Sequence, residues 1–151
     1  MRMKDDFELG FWAWFATDEH RLVSDACHGM KALDFLHLPS SVQSKQMNCC
    51  PECDIEGLMT EVEDFRRCVE SSFPTLESQL AEVLNECHQL PALALKWNEV
   101  EMFTDPTWEP VRKAASKALQ IAGWHNLRSH VEEQLRKSAR SAADKGVANT
   151  K

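Results

Sequence analysis

Between Asp54 and Phe73 the apolar residues Ile55, Leu58, Met59, Val62, Phe65, Cys68, Val69 and Phe73 recur at steps of three and four. That spacing stacks them on one stripe of an α-helix and is incompatible with strand alternation. The opposite face carries Glu56, Glu63 and Glu70 at seven-residue steps, with Glu61 and Asp64 beside them. The pattern predicts a half-buried helix with an acidic outer wall, around which the other elements are expected to pack.

The rest of the chain reads as further helices. Asp5-Asp6 is a capping pair for FELGFWAWFA, in which Phe7, Phe11 and Phe15 repeat at i+4. Trp12 and Trp14 make that segment apolar nearly all round, so it is either deeply buried or a contact surface; alternation of Phe7, Leu9, Phe11, Ala13 and Phe15 also fits a strand. Thr17-Asp18-Glu19 reads as the cap of a second helix with Leu22, Val23, Ala26, Cys27, Met30 and Leu33 as its stripe. Gly29 within it costs roughly 1 kcal/mol relative to Ala and marks close helix packing. Pro39 ends this helix, and residues 39–53 form the longest loop candidate. After the acidic helix Pro74 breaks the chain, and Thr75 caps a helix to about Gln89 that buries Leu76, Leu80, Val83, Leu84 and Cys87. Residues 92–103 fit a helix through Leu93, Trp97, Val100 and Phe103, although Leu93, Leu95 and Trp97 also alternate as in a strand. Asp105-Pro106 starts another helix that ends near Gly123, and a last one aligns Leu127, Val131 and Leu135. Residues 1–137 are therefore expected to form one helical domain, with 138–151 a frayed, polar, basic tail.

At 151 residues the chain is long enough to bury a single sizeable core. It holds no apolar run near the roughly 20 residues that span a bilayer, and Asp5 and Asp6 interrupt what would be a signal peptide's apolar region. A cytoplasmic protein is expected, its six cysteines kept as thiols. The net charge of −7 is unevenly spread: residues 1–111 carry 21 acids against 8 bases, and residues 112–151 carry 9 bases against 3 acids. An acidic body opposes nucleic acid as the main partner, because phosphate binding needs a basic surface. It fits a basic protein partner; the bland alternative is a solubilising surface.

Four constellations bear on chemistry. Cys50-Pro51-Glu52-Cys53 is a Cys-x-x-Cys pair, half of a tetrahedral zinc site, which Cys68, or Cys87 with His88, would complete from neighbouring helices. No second Cys-x-x-Cys follows, so unliganded thiols are the competing reading and no cofactor is called for. Arg21 and His28 stand seven apart, hence on one helical face. The pair resembles the Arg-x(4–6)-His motif of HEPN ribonucleases, which are all-α domains of similar size. That resemblance implies that Arg21 and His28 act on RNA phosphate. It covers two residues, and departs from the family in having Leu22 after the arginine and in lying near the N-terminus. Asp25-x-x-His28 is the one near match to the Glu-x-x-His motifs of di-metal bundles, and His125 and His130 point to different faces. Asp105 to Leu119 looks like the opening of the second half of a HEAT repeat, but it occurs once, and solenoids need several stacked repeats.

The expectation is thus a mainly α, bundle-like domain of six or seven helices. It is read as a non-enzymatic binding protein, in concrete form an immunity-type or inhibitor protein that neutralises a basic partner. Glu56, Glu61, Glu63, Asp64, Glu70, Glu77 and Glu82 supply the field, and Trp12, Trp14 or Trp108 the desolvated anchors.

Overall fold

The computed structural model describes residues 6–46, 51–91 and 100–149, and of these only the backbone at 51–54, 100–101 and 139–149. Seven α-helices account for nearly all of them: α1 (Phe7–Ala16), α2 (His20–His37), α3 (Ser40–Gln46), α4 (Pro51–Val69), α5 (Pro74–His88), α6 (Glu109–Ala122) and α7 (Trp124–Asn149). Two 3₁₀ turns, Val100–Thr104 and Pro106–Trp108, lead into α6. No strand occurs among the described residues, so the chain is mainly α and packs as one bundle-like domain. Among the described residues no helix is long and apolar enough to cross a membrane.

Local chemistry sets most of the boundaries. The Asp6 carboxylate accepts from the backbone N–H of Leu9 at 3.3 Å and caps α1. Asp105 does the same for the turn before α6, accepting from Thr107 N–H at 2.9 Å. Gly123, at φ +80°, closes α6 in the left-handed conformation that glycine adopts without strain. Other boundaries depart from expectation. Thr17-Asp18-Glu19 closes α1, with Thr17 as its C-cap, and its last residue Glu19 also holds the N-cap position of α2, though without a side-chain capping bond. Thr75 does not cap α5, because Phe73 holds the N-cap position and Pro74, with its preset φ, begins the helix. The acidic helix spans Pro51–Val69 rather than 54–73, and α7 runs on to Asn149, past the point where fraying was expected. Of the ambiguous segment, residues 92–99 lie outside the described residues and Val100–Thr104 is a 3₁₀ turn.

The loop expected at 39–53 holds α3 and the first turn of α4. Polar burial secures α3. The Gln43 side chain is fully buried and donates to the Phe35 and Leu36 carbonyls at 3.0 and 3.2 Å, bridging α3 to the end of α2. Its carbonyl oxygen accepts two bonds from the Arg112 guanidinium on α6, at 3.1 and 2.9 Å. Arg112 also donates to the Leu38 carbonyl at 3.2 Å and to that of Phe103, and pairs with Glu109 at 3.1 Å. Buried polar groups are tolerated only when satisfied in this way.

The centre of the bundle is α2, not α4: α1, α4, α6 and α7 all pack on α2, whereas α4 packs chiefly on α2 and α5. Small residues explain this. Ala26, Gly29 and Ala32 are buried between Cys27, Met30, Leu33 and Leu36, so neighbours approach over a wide arc. A Cβ on Gly29 would stand 2.3 Å from the Cβ of Phe65, which locks α2 close against α4. The α4 stripe is nonetheless as expected, with Ile55, Val62, Phe65 and Val69 buried and Leu58 and Met59 packed beside them.

Candidate functional site

The close approach at Gly29 and Phe65 brings two polar stripes together along the α2–α4 seam. Arg21, Asp25 and His28 follow one another at helical spacing on α2, and Glu61, Asp64 and Cys68 do so on α4. The Cys68 thiol donates to the Leu22 carbonyl at 3.5 Å across the seam. Asp25, Glu61 and Asp64 form no ion pair among the described residues. Burial, followed by the charge of Asp64, holds the Asp25 carboxyl above its ordinary value, although Arg21 and His28 pull the other way. Burial likewise raises Glu61, with His28 lowering it and Asp64 adding to the rise. Burial, with Asp25 and Asp64 behind it, pushes the Cys68 thiol up to about 12. The seam is therefore a region of net negative potential, partly withdrawn from water.

This surrounds the Arg21–His28 pair with three carboxylates. The ring of His28 donates from Nδ1 to the Ser24 carbonyl at 2.9 Å, a local bond within α2 that fixes its tautomer. A phosphodiester approaching this pair would meet a field of its own sign, so the arrangement opposes RNA phosphate.

The other predicted acids fall into two groups. Glu63 is taken up by arginines on its own helix, 2.7 Å from Arg66 and 3.1 Å from Arg67, and Arg66 reaches on to Glu77 of α5 at 2.9 Å. The hydrogen bond from Arg66 holds the Glu63 carboxyl below its ordinary value. These two acids close a structural clamp between α4 and α5. Glu56, Glu70 and Glu82 are exposed. The Glu86 carboxyl is held above its ordinary value by desolvation and then by the neighbouring Glu82 carboxyl; Lys113 and Lys117 border the same cleft.

The three tryptophans have different fates. Trp108 is fully buried, packed against Phe103 at 4.9 Å between centroids, so it belongs to the core and is no surface anchor. The reason is its place in the turn before α6, which folds it inward. Trp14 is half-buried against Phe7 and Phe73. Trp12 is exposed, as are Leu9 and Phe15, so the outer face of α1 is an apolar surface. The His130 ring lies against Trp12 and Phe15 at 4.5 and 4.7 Å, and desolvation lowers its pKa.

The suggested zinc ligands are not brought together where they are described. Cys68 sits in the seam, while Cys87 is buried on α5, its thiol pushed up to about 12 by burial, and His88 is exposed. Cys50 and the side chain of Cys53 lie outside the described residues. Among the described residues no group of three or more His, Cys, Asp or Glu side chains could hold a metal ion. Asp25 is the seam member that charge patterning on α4 alone did not point to; only the packing of α2 reveals it. No protein-family model, curated protein or solved structure matches this chain.

Proposed function

We propose that the protein is a non-enzymatic binding module that engages a basic protein partner through the α2–α4 seam, in the manner of an inhibitor or immunity-type protein. The observation that carries this reading is the triad Asp25, Glu61 and Asp64, held together with no ion pair among the described residues. Like charges that burial has already partly desolvated favour an incoming cation, because a lysine or arginine there relieves repulsion as well as making new bonds. The field of the acidic body speeds encounter with such a partner. Exposed ion pairs add little affinity each, so a desolvated anchor is also required, and Trp12 with Leu9 and Phe15 on α1 is the apolar surface available. Glu63 and Glu77 contribute to the field less than their number implies, since Arg66 and Arg67 together offset their two charges.

The test is capture from native lysate at low and high salt by three proteins. These are the wild type, the seam variant Asp25→Asn/Glu61→Gln/Asp64→Asn, and the clamp variant Glu63→Gln/Glu77→Gln. A basic partner retained at low salt by the wild type and the clamp variant, but lost by the seam variant, is the expected result. Retention of nothing at low salt, or equal retention by the seam variant, means that the acids only solubilise the domain.

A further inference from the structure

Where α1 turns into α2, α7 passes alongside and the three helices enclose a cavity of about 290 Å³. Trp14 and Phe15 of α1, Val23 of α2 and Leu135 of α7 form apolar walls, and Cys27 lies on the same lining. Ser24, Gln134 and Ser138 add hydroxyl and amide groups. The volume sits at the lower end of small-molecule sites, and the mixture of aromatic walls with few polar groups is typical of them. Among the described residues no lysine or arginine lines the cavity. Its one carboxylate is Asp18, which stands 3.9 Å from His20, a residue charged only when protonated.

The backbone at Asp18 is a second, independent observation. Glu19 N–H donates to the Trp14 carbonyl at 2.9 Å and Asp18 N–H to the Phe15 carbonyl at 3.4 Å. This is a Schellman closure of α1, in which the left-handed position normally belongs to glycine. Asp18 occupies it at φ 60°, the one non-glycine residue with positive φ among those described. An L side chain in that region is disfavoured relative to glycine. The chain thus forgoes the stabler residue and keeps a carboxylate at the rim of the cavity; strained residues of this kind gather at ligand sites.

We propose that this cavity binds a small organic monocation, an aromatic amine whose ring lies among Trp14, Phe15 and Leu135 and whose ammonium meets the Asp18 carboxylate. Aromatic faces attract a cation and the carboxylate neutralises it, whereas among the described residues an anion finds no basic group but His20, which is already beside Asp18. The site shares no residue with the acidic seam; Phe15 belongs also to the apolar α1 surface proposed as the partner's anchor, and a titration of the isolated chain tests the cavity without that partner.

The experiment titrates the full chain with phenethylamine, and with phenylpropanol and phenylpropionate as neutral and anionic counterparts, following the Gln134 side-chain amide and the Ser24 backbone amide by NMR. The amine is expected to bind about fivefold to tenfold more tightly than the alcohol, the increment of one exposed charge pair with aromatic contact. The carboxylate should bind more weakly still. Asp18→Asn should remove most of the amine's advantage, leaving only the attraction of the aromatic faces, and leave the alcohol unchanged. Asp18→Gly should show the same loss while raising the melting temperature by about 2–4 °C, because glycine suits the left-handed position. Equal binding of amine and alcohol, undiminished amine binding by Asp18→Asn, or no saturable shift of Gln134 and Ser24 would overturn the proposal.

Discussion

Glu63 and Asp64 are neighbours in sequence, yet a helical step of about 100° puts them on opposite flanks of α4 with opposite electrostatic fates. On one flank Glu63 shares Arg66 and Arg67, and Arg66 extends to Glu77, so three side chains tie α4 to α5. On the other, the charge of Asp64 acts on Asp25 across the seam and on Glu61 of its own helix, and none of the three forms an ion pair among the described residues. Each facing helix brings an acid, Glu77 on α5 and Asp25 on α2. What differs is that Arg66 of α4 lies between the acids of the clamp flank and pairs with both, whereas no arginine pairs the acids of the seam flank among the described residues. The acids of the clamp flank are paired within the fold, whereas those of the seam flank make no ion pair among the described residues, which is the ground on which a partner is proposed there.

Separating α2 from α4 should break this comparison most severely. Gly29→Ala puts a Cβ against the Cβ of Phe65, an atom fixed to the backbone and unable to swing aside. The helices must move apart, at about 2–3 kcal/mol even after alanine's better helix propensity. Urea denaturation measures it; a variant as stable as the wild type would mean that the seam is not closed at this point. Loss of the clamp comes next. Arg66→Ala takes from half-buried Glu77 its pair and from Glu63 one of its two, and should cost about 1–2 kcal/mol, whereas Arg67→Ala, removing a mostly exposed guanidinium, should cost less than half as much. Equal costs for the two arginines would remove the distinction between clamp and surface pair.

Much of the fold was legible because periodicity reports burial directly. The α4 stripe, the Asp6 cap and the Gly123 terminus all follow from local spacing and cap chemistry. The hub was not legible, because α2 is made central by Ala26, Gly29 and Ala32, whose importance lies in how little space they fill. Nor was α3, which is short and polar, and is held by Gln43 and Arg112 across 69 residues of sequence. In the sequence Glu63 and Glu77 read as free acids; the spacing of Glu63 three and four residues before Arg66 and Arg67 is compatible with their pairing, but the reach of Arg66 to Glu77 exists only when α5 lies against α4. The seam required the partner helix: Asp25 becomes part of an acidic site only when α2 lies against α4. Trp108 carried no local sign that it faces inward, because a lone tryptophan in a turn has no period to assign it.

The smallest effects give the sharpest reading of the two flanks, because they differ in sign. Glu63 has its folded-state pKa lowered, chiefly by the hydrogen bond from Arg66, below the ordinary value of 4.5. Its contribution to stability is present above 4.5 and is lost as pH falls through the folded value. Glu61 has its folded-state pKa raised above 4.5, chiefly by burial. The folded chain then holds that proton more firmly than the unfolded one, so the contribution is present at acidic pH and is lost as pH rises from 4.5 through the raised value. Glu63→Gln should therefore be less stable than the wild type at neutral pH, and Glu61→Gln more stable. Each difference should be a few tenths to about 1 kcal/mol, as for partly exposed charges, and each should vanish at strongly acidic pH, where the native glutamates are themselves neutral. Denaturation curves for the three proteins at a series of pH values test this. If Glu61→Gln destabilises at neutral pH, a cation within the fold already satisfies Glu61, and the seam has no charge left for a partner.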